Sequence, residues 1–427
     1  MIFPGTATSP RFLRTLALQS AALAAIVFSG ALAVVADTLP NATERKADLD
    51  FLVDQIAAHY AYLPERHLDL KELRAMYGPL AAAAATRGAF LQVIERVVGE
   101  LHDHHATLGT NNDGSPELIP TGTELWAEMK DGRALLVEIR PAGDAAREGL
   151  HAGDEVVSIG GVAIADAVAR AAPKTLAESD PEADNFALRT VLAGTHQGER
   201  VLSIRRLDNK VQEVRLAPYQ VPRAENLITW RWIKSGIGYI RIENSLGDTD
   251  TVSAFDAALD SLNGANGLIL DLRNTPSGGS TDVAEPILGR FINKSSPYQR
   301  VFEPGPGKSY PKDSWLKTAI PRAPYVQAKL VVLVDHWTGS MGEGIAIGFD
   351  ALRRAQIVGT AMAGLRGGTG EFTLPNSKIS VHIPVERLYR VNGTPRETFM
   401  PSLLVDLVHA RGDDPILALG LKVLENE

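Results

Sequence analysis

Apolar positions along this chain change their spacing several times, and each spacing predicts a different kind of structure. Residues 16–36, LALQSAALAAIVFSGALAVVA, are apolar almost throughout. Arg11 and Arg14 precede the run, and Val34 and Ala36 end it in a small-residue context, the layout of a secretory signal over residues 1–36. The run is also long enough to span a bilayer, so a retained anchor is the other expectation. From Asn41 the spacing becomes helical. Asn41 with Glu44 three residues on predicts a capping-box start. Leu49, Leu52, Val53, Ile56, Ala57 and Tyr60 then recur at helical intervals, as do Phe90, Val93, Ile94, Val97, Val98 and Leu101. The alanine run 81–85 between them is a strong helix former. Two short helices bury little by themselves, so they need a partner surface.

Between about 115 and 220 the period shortens to two. ALLVEIR, DEVVSIGG, RVLSIRRL and VQEVRLAP, separated by Gly and Asp, predict half-exposed antiparallel strands. Residues 164–190 are polar, acidic and rich in alanine, and read as a helical insertion. Beyond about 225, GIGYIRI, GLILDLR, KLVVLVD and AQIVG alternate with TVSAFDAALDSL and a helix from about Met341 to Leu352. That alternation predicts an α/β core with buried parallel strands.

Composition narrows the chemistry. A chain of 427 residues holds two or three domains. The formal net charge of −8, without a polybasic tract, argues against nucleic acid or an anionic membrane as partner. With no cysteine, disulfides, thiolate catalysis and cysteine-linked lipid anchors are excluded. No metal or organic cofactor is implied.

Ser340 lies in VVLVDHWTGSMGEG, where a buried strand turns into a helix. Such a turn can present a nucleophile, and the helix start at Met341 supplies unpaired N–H groups for an oxyanion. Serine is equally a favoured helix cap. Gly339 and Gly342 permit close backbone approach; a phosphate loop fits GSMGEG poorly, because the Gly-Lys-Ser/Thr ending is missing. A second strand-to-turn segment, LILDLRNTPSGGSTD, places Gly278 and Gly279 as further backbone donors, or as an ordinary connecting loop.

Two resemblances add to this reading. PAGDAAREGLHAGDEVVSIGGVAI resembles a segment of PDZ domains, with Gly149 and Gly153 at turns and Leu150 in a small core; such modules take up peptides, commonly C-termini, at a sheet edge. DLRNTPSGG, Ser340-Met341-Gly342-Glu343, Ile357-Val358-Gly359, the glycine-rich loop Gly364 to Gly370, and Asn392-Gly393 with Glu397 and Pro401 together resemble tail-specific (C-terminal-processing) and tricorn-type serine peptidases. This resemblance covers about residues 90–410. It implies an α/β multidomain protein: a helical region 37–112, a PDZ-like β-rich domain 113–222 with a helical insertion, and a protease core 223–427 of the ClpP/crotonase-like kind. It further implies Ser340 as nucleophile, Gly279 and Met341 as oxyanion donors, and Gly278, Gly339 and Gly364 in the substrate cleft.

The lysine base of processing-type relatives has no counterpart here. Its position holds Leu365, beside Arg366, and a guanidinium stays protonated at any working pH. Lys378, the nearest downstream lysine, falls in an expected strand. LHDHHATLG instead resembles the histidine motif of tricorn-type members, with His105 at the matched position and a neutral imidazole suited to proton transfer. His104 and His336 are reserve bases, and the three histidines 102, 104 and 105 could also attract a metal or sit in a plain loop. Glu397 is implied as the acid that orients the histidine, while Glu343 is expected to support the helix start. The function that follows is an exported, periplasmic or extracellular serine endopeptidase acting on polypeptides, membrane-bound only if residues 1–36 are retained. A catalytically inactive binder of polypeptides or hydrophobic ligands, and a small-molecule esterase or amidase, are the alternatives.

Overall fold

Asn41 closes the first helix as its spacing requires: its side chain accepts the Glu44 N–H at 3.0 Å while Glu44 accepts the Asn41 N–H at 2.8 Å. The computed structural model describes residues 39–222 and 224–426; the expected export segment lies outside them. Helix α1 (Ala42–His59) is followed by α2 (Leu70–Ala83) and α3 (Arg87–Gly99). Both apolar stripes turn inward: Leu49, Leu52, Val53 and Ile56 pack against Phe90, Ile94 and Val97. The partner surface is supplied by residues almost three hundred positions later, among them Leu374, Ile379, Val381 and Ile383.

After the two-residue strand β1 (Thr107–Leu108) comes an antiparallel sheet. Its strands are β2 (Leu125–Lys130), β3 (Arg133–Ile139), β4 (Glu155–Ile159), β5 (Val162–Ala163), β6 (Arg200–Arg205) and β7 (Val211–Leu216), in the order β2-β3-β4-β6-β7 with β5 beside β4. The short helix α4 (Asp144–Arg147) precedes the Gly149–Gly153 turn, and residues 164–190 carry α5 (Ile164–Ala171) and the start of α6 (Pro181–Ala193).

The rest of the chain carries strands β8 (Ile228–Lys234), β9 (Ile237–Ile242), β10 (Gly267–Asp271), β11 (Ser296–Phe302), β12 (Trp315–Ala319), β13 (Lys329–Val334), β14 (Ala355–Gly359), β15 (Gly368–Thr373), β16 (Ser380–Tyr389) and β17 (Leu403–Leu404). Helices α7 (Asp250–Ser261), α8 (Thr281–Gly289), α9 (Met341–Ala351) and α10 (Pro415–Asn426) lie among them. One sheet runs β17-β14-β13-β10-β9-β8, parallel except for β8. Residues of α7, α8 and α9 pack on one face and of α10 on the other, which is why β10 and β13 are apolar on both sides. The last sheet, β1-β16-β11-β12 with β15 beside β16, is antiparallel and brings β1 onto β16. The protein is thus α/β and multidomain in construction. Among the described residues no helix is long and apolar enough to cross a membrane.

Candidate active site

Adjacent parallel strands β10 and β13 end side by side, and the two glycine-bearing turns leave them together. A parallel bridge joins Thr275 to Thr338, and Gly339 N–H donates to the Thr275 carbonyl at 3.2 Å. Clefts at the carboxyl ends of parallel strands are the usual ligand position in such sheets. Ser340 caps α9 in a left-handed conformation, φ 50° and ψ −108°, which costs a non-glycine residue about 1–3 kcal/mol. That conformation is held by Glu343, whose Oε2 accepts the Ser340 N–H at 2.8 Å.

Gly278, at φ +68°, lies directly against the serine: a Cβ there would meet Ser340 Cβ at 2.3 Å and Oγ at 2.7 Å. Its own N–H is bound to the Thr275 carbonyl at 3.2 Å. Gly279 faces away, toward the Leu246 backbone. Among the described residues neither the Gly279 N–H nor the Met341 N–H has an intramolecular partner, and the Met341 nitrogen lies at the serine turn, 3.1 Å from where a Cβ on Gly278 would stand. Gly339 packs against Pro276 and Leu365, and Gly364 N–H donates to Glu343 Oε1 at 3.0 Å.

Glu343 therefore does more than favour a helix start. Only 1% exposed, it ties the serine turn to the loop at 364, with Arg396 Nη2 3.6 Å from Oε2. Burial pushes its carboxyl up to about 7, against the pull of Arg396 and the two N–H donors. Arg396, itself buried, donates to the carbonyls of Leu365 at 2.8 Å and Gly367 at 3.3 Å, fixing the same loop.

The three histidines of LHDHHATLG separate. His102 is buried with Nε2 2.8 Å from Asp180 Oδ2. His104 stacks on Phe186 at 4.5 Å, and burial holds its imidazole well below its usual range. His105 packs Nδ1 2.6 Å from the Arg366 carbonyl, which can only accept, so Nδ1 carries the proton and Nε2 the lone pair. Burial lowers the His105 pKa. This is the tautomer a general base needs. No histidine or lysine hydrogen-bonds Ser340 Oγ among the described residues, and the link from His105 to Ser340 runs instead through residues 364–366 and Glu343.

Other candidates lie elsewhere. Glu397 does not bond His105; its place at Nδ1 is taken by the Arg366 carbonyl. Burial raises the Glu397 pKa, and its Oε2 has no hydrogen-bond partner among the described residues. It shares a pocket of about 450 Å³ with Tyr62, Arg66 and Arg366. His336 turns from the serine to pair with Glu138 and stack on Trp126 at 4.8 Å. Lys378 is not in a strand but in the exposed turn between β15 and β16, where Nζ donates to the Pro375 carbonyl at 2.7 Å.

Sequence reasoning missed the acids that hold this loop. Glu182, at the start of α6, pairs with Arg366 at 2.6 Å and with Arg66 at 3.1 Å, and Asp180 pairs with Arg66 at 3.4 Å. The insertion thereby grips both the histidine segment and the carbonyl that orients His105. The only signal for this was an acidic helix start, which has a common local explanation.

Peptidase family S41 matches residues 236–399 of the chain. Among solved structures, a photosystem II D1 C-terminal processing protease is 17% identical, with 88% of this chain and 97% of that chain covered at a TM-score of 0.55. Mature CPAF is 16% identical, with 90% and 96% covered at 0.58. A putative peptidase from Parabacteroides merdae ATCC 43184 is 14% identical, with 89% and 96% covered at 0.51. At these identities the likeness concerns the fold. No curated protein matches the sequence significantly. The matched segment contains Ser340, the Gly278–Gly279 turn, Glu343 and Arg396. Residues 236–399 thus match peptidase family S41, and the chain is a serine-type peptidase.

Proposed function

We propose that the protein is an exported serine endopeptidase in which Ser340 forms an acyl-enzyme with a histidine, His105, as base. The observation that carries this is the serine turn itself: Ser340 in a strained conformation against Gly278, at the start of a helix whose Met341 N–H has no intramolecular partner among the described residues. In the reaction His105 Nε2 takes the Ser340 Oγ proton as Oγ attacks the peptide carbonyl. The Gly279 and Met341 N–H groups receive the oxyanion. The imidazolium gives its proton to the leaving amine, and water, deprotonated by the same nitrogen, releases the acyl group. This requires Nε2 to reach Oγ when substrate is bound, a tightening that catalytic hydrogen bonds commonly show. Orientation of the imidazole falls to the Arg366 carbonyl, with Glu397 in the adjoining pocket.

Residues 113–222, with PAGDAAREGLHAGDEVVSIGG, act in this reading as a PDZ-like module that recruits or gates polypeptides by their C-termini, and residues 1–36 as the export signal. Contacts from this region to the serine-side turn favour gating: Arg140 Nη2 donates to Asn274 Oδ1 at 2.8 Å, and Trp337 Nε1 donates to the Thr123 carbonyl at 2.8 Å. Ser340→Ala, folded by circular dichroism, is expected to lose peptide hydrolysis; hydrolysis at the wild-type rate would sink the assignment.

A further inference from the structure

A cavity of about 680 Å³ lies between α2, α3, the segment 104–119 and the α5–α6 insertion, away from Ser340. Its walls include Met76, Leu80, Leu118, Ile119 and Phe186. Leu80 and Leu118, both in its lining, are 43% and 41% exposed. Strand β1, beginning two residues after His105, also lines it.

Among the described residues strand β1 pairs on one side only, with β16, through Thr107↔His382 and Leu108↔Val381. Gly109 N–H donates to the Ser380 carbonyl at 2.9 Å. In an antiparallel ladder inward and outward residues alternate. With Gly109 and Thr107 directed at β16, the N–H and C=O of Leu108 point to the free edge. The wall carries a further polar group: His104, stacked on Phe186, has an Nε2 without a hydrogen-bond partner among the described residues. The cavity also adjoins the catalytic side, because Ile119 packs with Ala363 and Leu365, and Leu365 lies against Gly339.

We propose that this cavity is a polypeptide subsite. An extended substrate segment adds as a strand to the free edge of β1 at Leu108 and places an apolar side chain between Leu80, Leu118 and Phe186. The occupant's identity rests on the peptidase reading; the site itself does not. A free edge explains why it would be a polypeptide rather than an apolar small molecule: only a backbone satisfies both the donor and the acceptor of Leu108. The exposed leucines set the preference for apolar side chains at alternate positions.

The test uses the full chain carrying Ser340→Ala and a fluorescein-labelled decapeptide of alternating leucine and serine, followed by anisotropy. The same peptide with every backbone nitrogen methylated lacks the backbone donors. Leu108→Pro removes the outward N–H and leaves the β16 ladder intact, a placement that edge strands tolerate; Leu108→Met keeps both. Losing one or two such hydrogen bonds should weaken binding by at least about fivefold for the N-methylated peptide and for Leu108→Pro, with Leu108→Met near the parent. Leu118→Asp, which charges the mouth of the cavity, should weaken binding similarly and locates the site should Leu108→Pro misfold. No binding of the parent peptide, equal binding of the methylated one, or indifference to both cavity substitutions overturns the proposal. Fluorophosphonate labelling of Leu108→Pro with Ser340 intact is read separately: labelling that persists while peptide binding is lost keeps the two readings apart.

Discussion

Glu343→Ala probes the joint on which the serine turn depends. The substitution strands two amide donors, those of Ser340 and Gly364, which the carboxylate binds at 2.8 and 3.0 Å in a setting 1% exposed. At about 1–3 kcal/mol for each buried donor left unmet, the loss of stability is about 2–6 kcal/mol while the carboxyl is protonated. Because burial raises the Glu343 pKa from 4.5 to about 7, the native state binds this proton more tightly than the unfolded chain. The stability that results is fully present below about pH 4.5 and is lost as pH rises through about 7. At about 1.4 kcal/mol per pKa unit, the wild type should lose about 2–3 kcal/mol from this group between pH 5 and pH 8, and the alanine variant should not. Urea unfolding of both proteins at the two pH values measures the difference directly. The deficit of the variant should therefore be larger at pH 5 by about 2–3 kcal/mol. A deficit that is constant with pH, or grows toward pH 8, refutes the reasoning.

Other consequences can be measured alongside. Gly278→Ala drives a methyl group to within 2.3 Å of Ser340 Cβ, and a shift of about 1 Å at a nucleophile costs about a hundredfold, so kcat/KM for peptide hydrolysis should fall by about that factor while the fold persists. With His105 as the base and its pKa lowered by burial, the acid limb of the kcat/KM profile should have its midpoint below 6.5; a midpoint above that value speaks against this histidine. Asp180→Asn takes a charged partner from Arg66 and His102 and should cost about 1.5–3 kcal/mol in thermal or urea unfolding, with an accompanying loss of kcat that a mere surface change would not produce.

Much of the architecture was legible because it is written in short-range patterns. The Asn41–Glu44 cap, the two helical stripes and the apolar runs of β10 and β13 depend on neighbours within a turn or a strand, and each forms as its spacing predicts. Ser340 and the Gly278–Gly279 turn were legible as turns at strand ends; that they meet follows from the parallel pairing of β10 with β13. What could not be read was partner choice across long separations. The Arg366 carbonyl holds His105 from 261 positions away, and a backbone acceptor has no residue signature. His336 meets Glu138 from 198 positions away, which removes a nearby histidine from the serine. Lys378 lay in an expected strand, but an Asn-Ser-Lys turn with Lys378 at φ 60° breaks it between β15 and β16.

The claim that matters most is that Ser340 is the group that becomes acylated. Reaction of the whole protein with a fluorophosphonate, followed by intact-mass measurement and peptide mapping, tests it without knowledge of the substrate. The account predicts one adduct, on Ser340, that is absent from Ser340→Ala and strongly slowed in His105→Ala. An unmodified Ser340 in a folded protein, or an adduct at another residue, contradicts it.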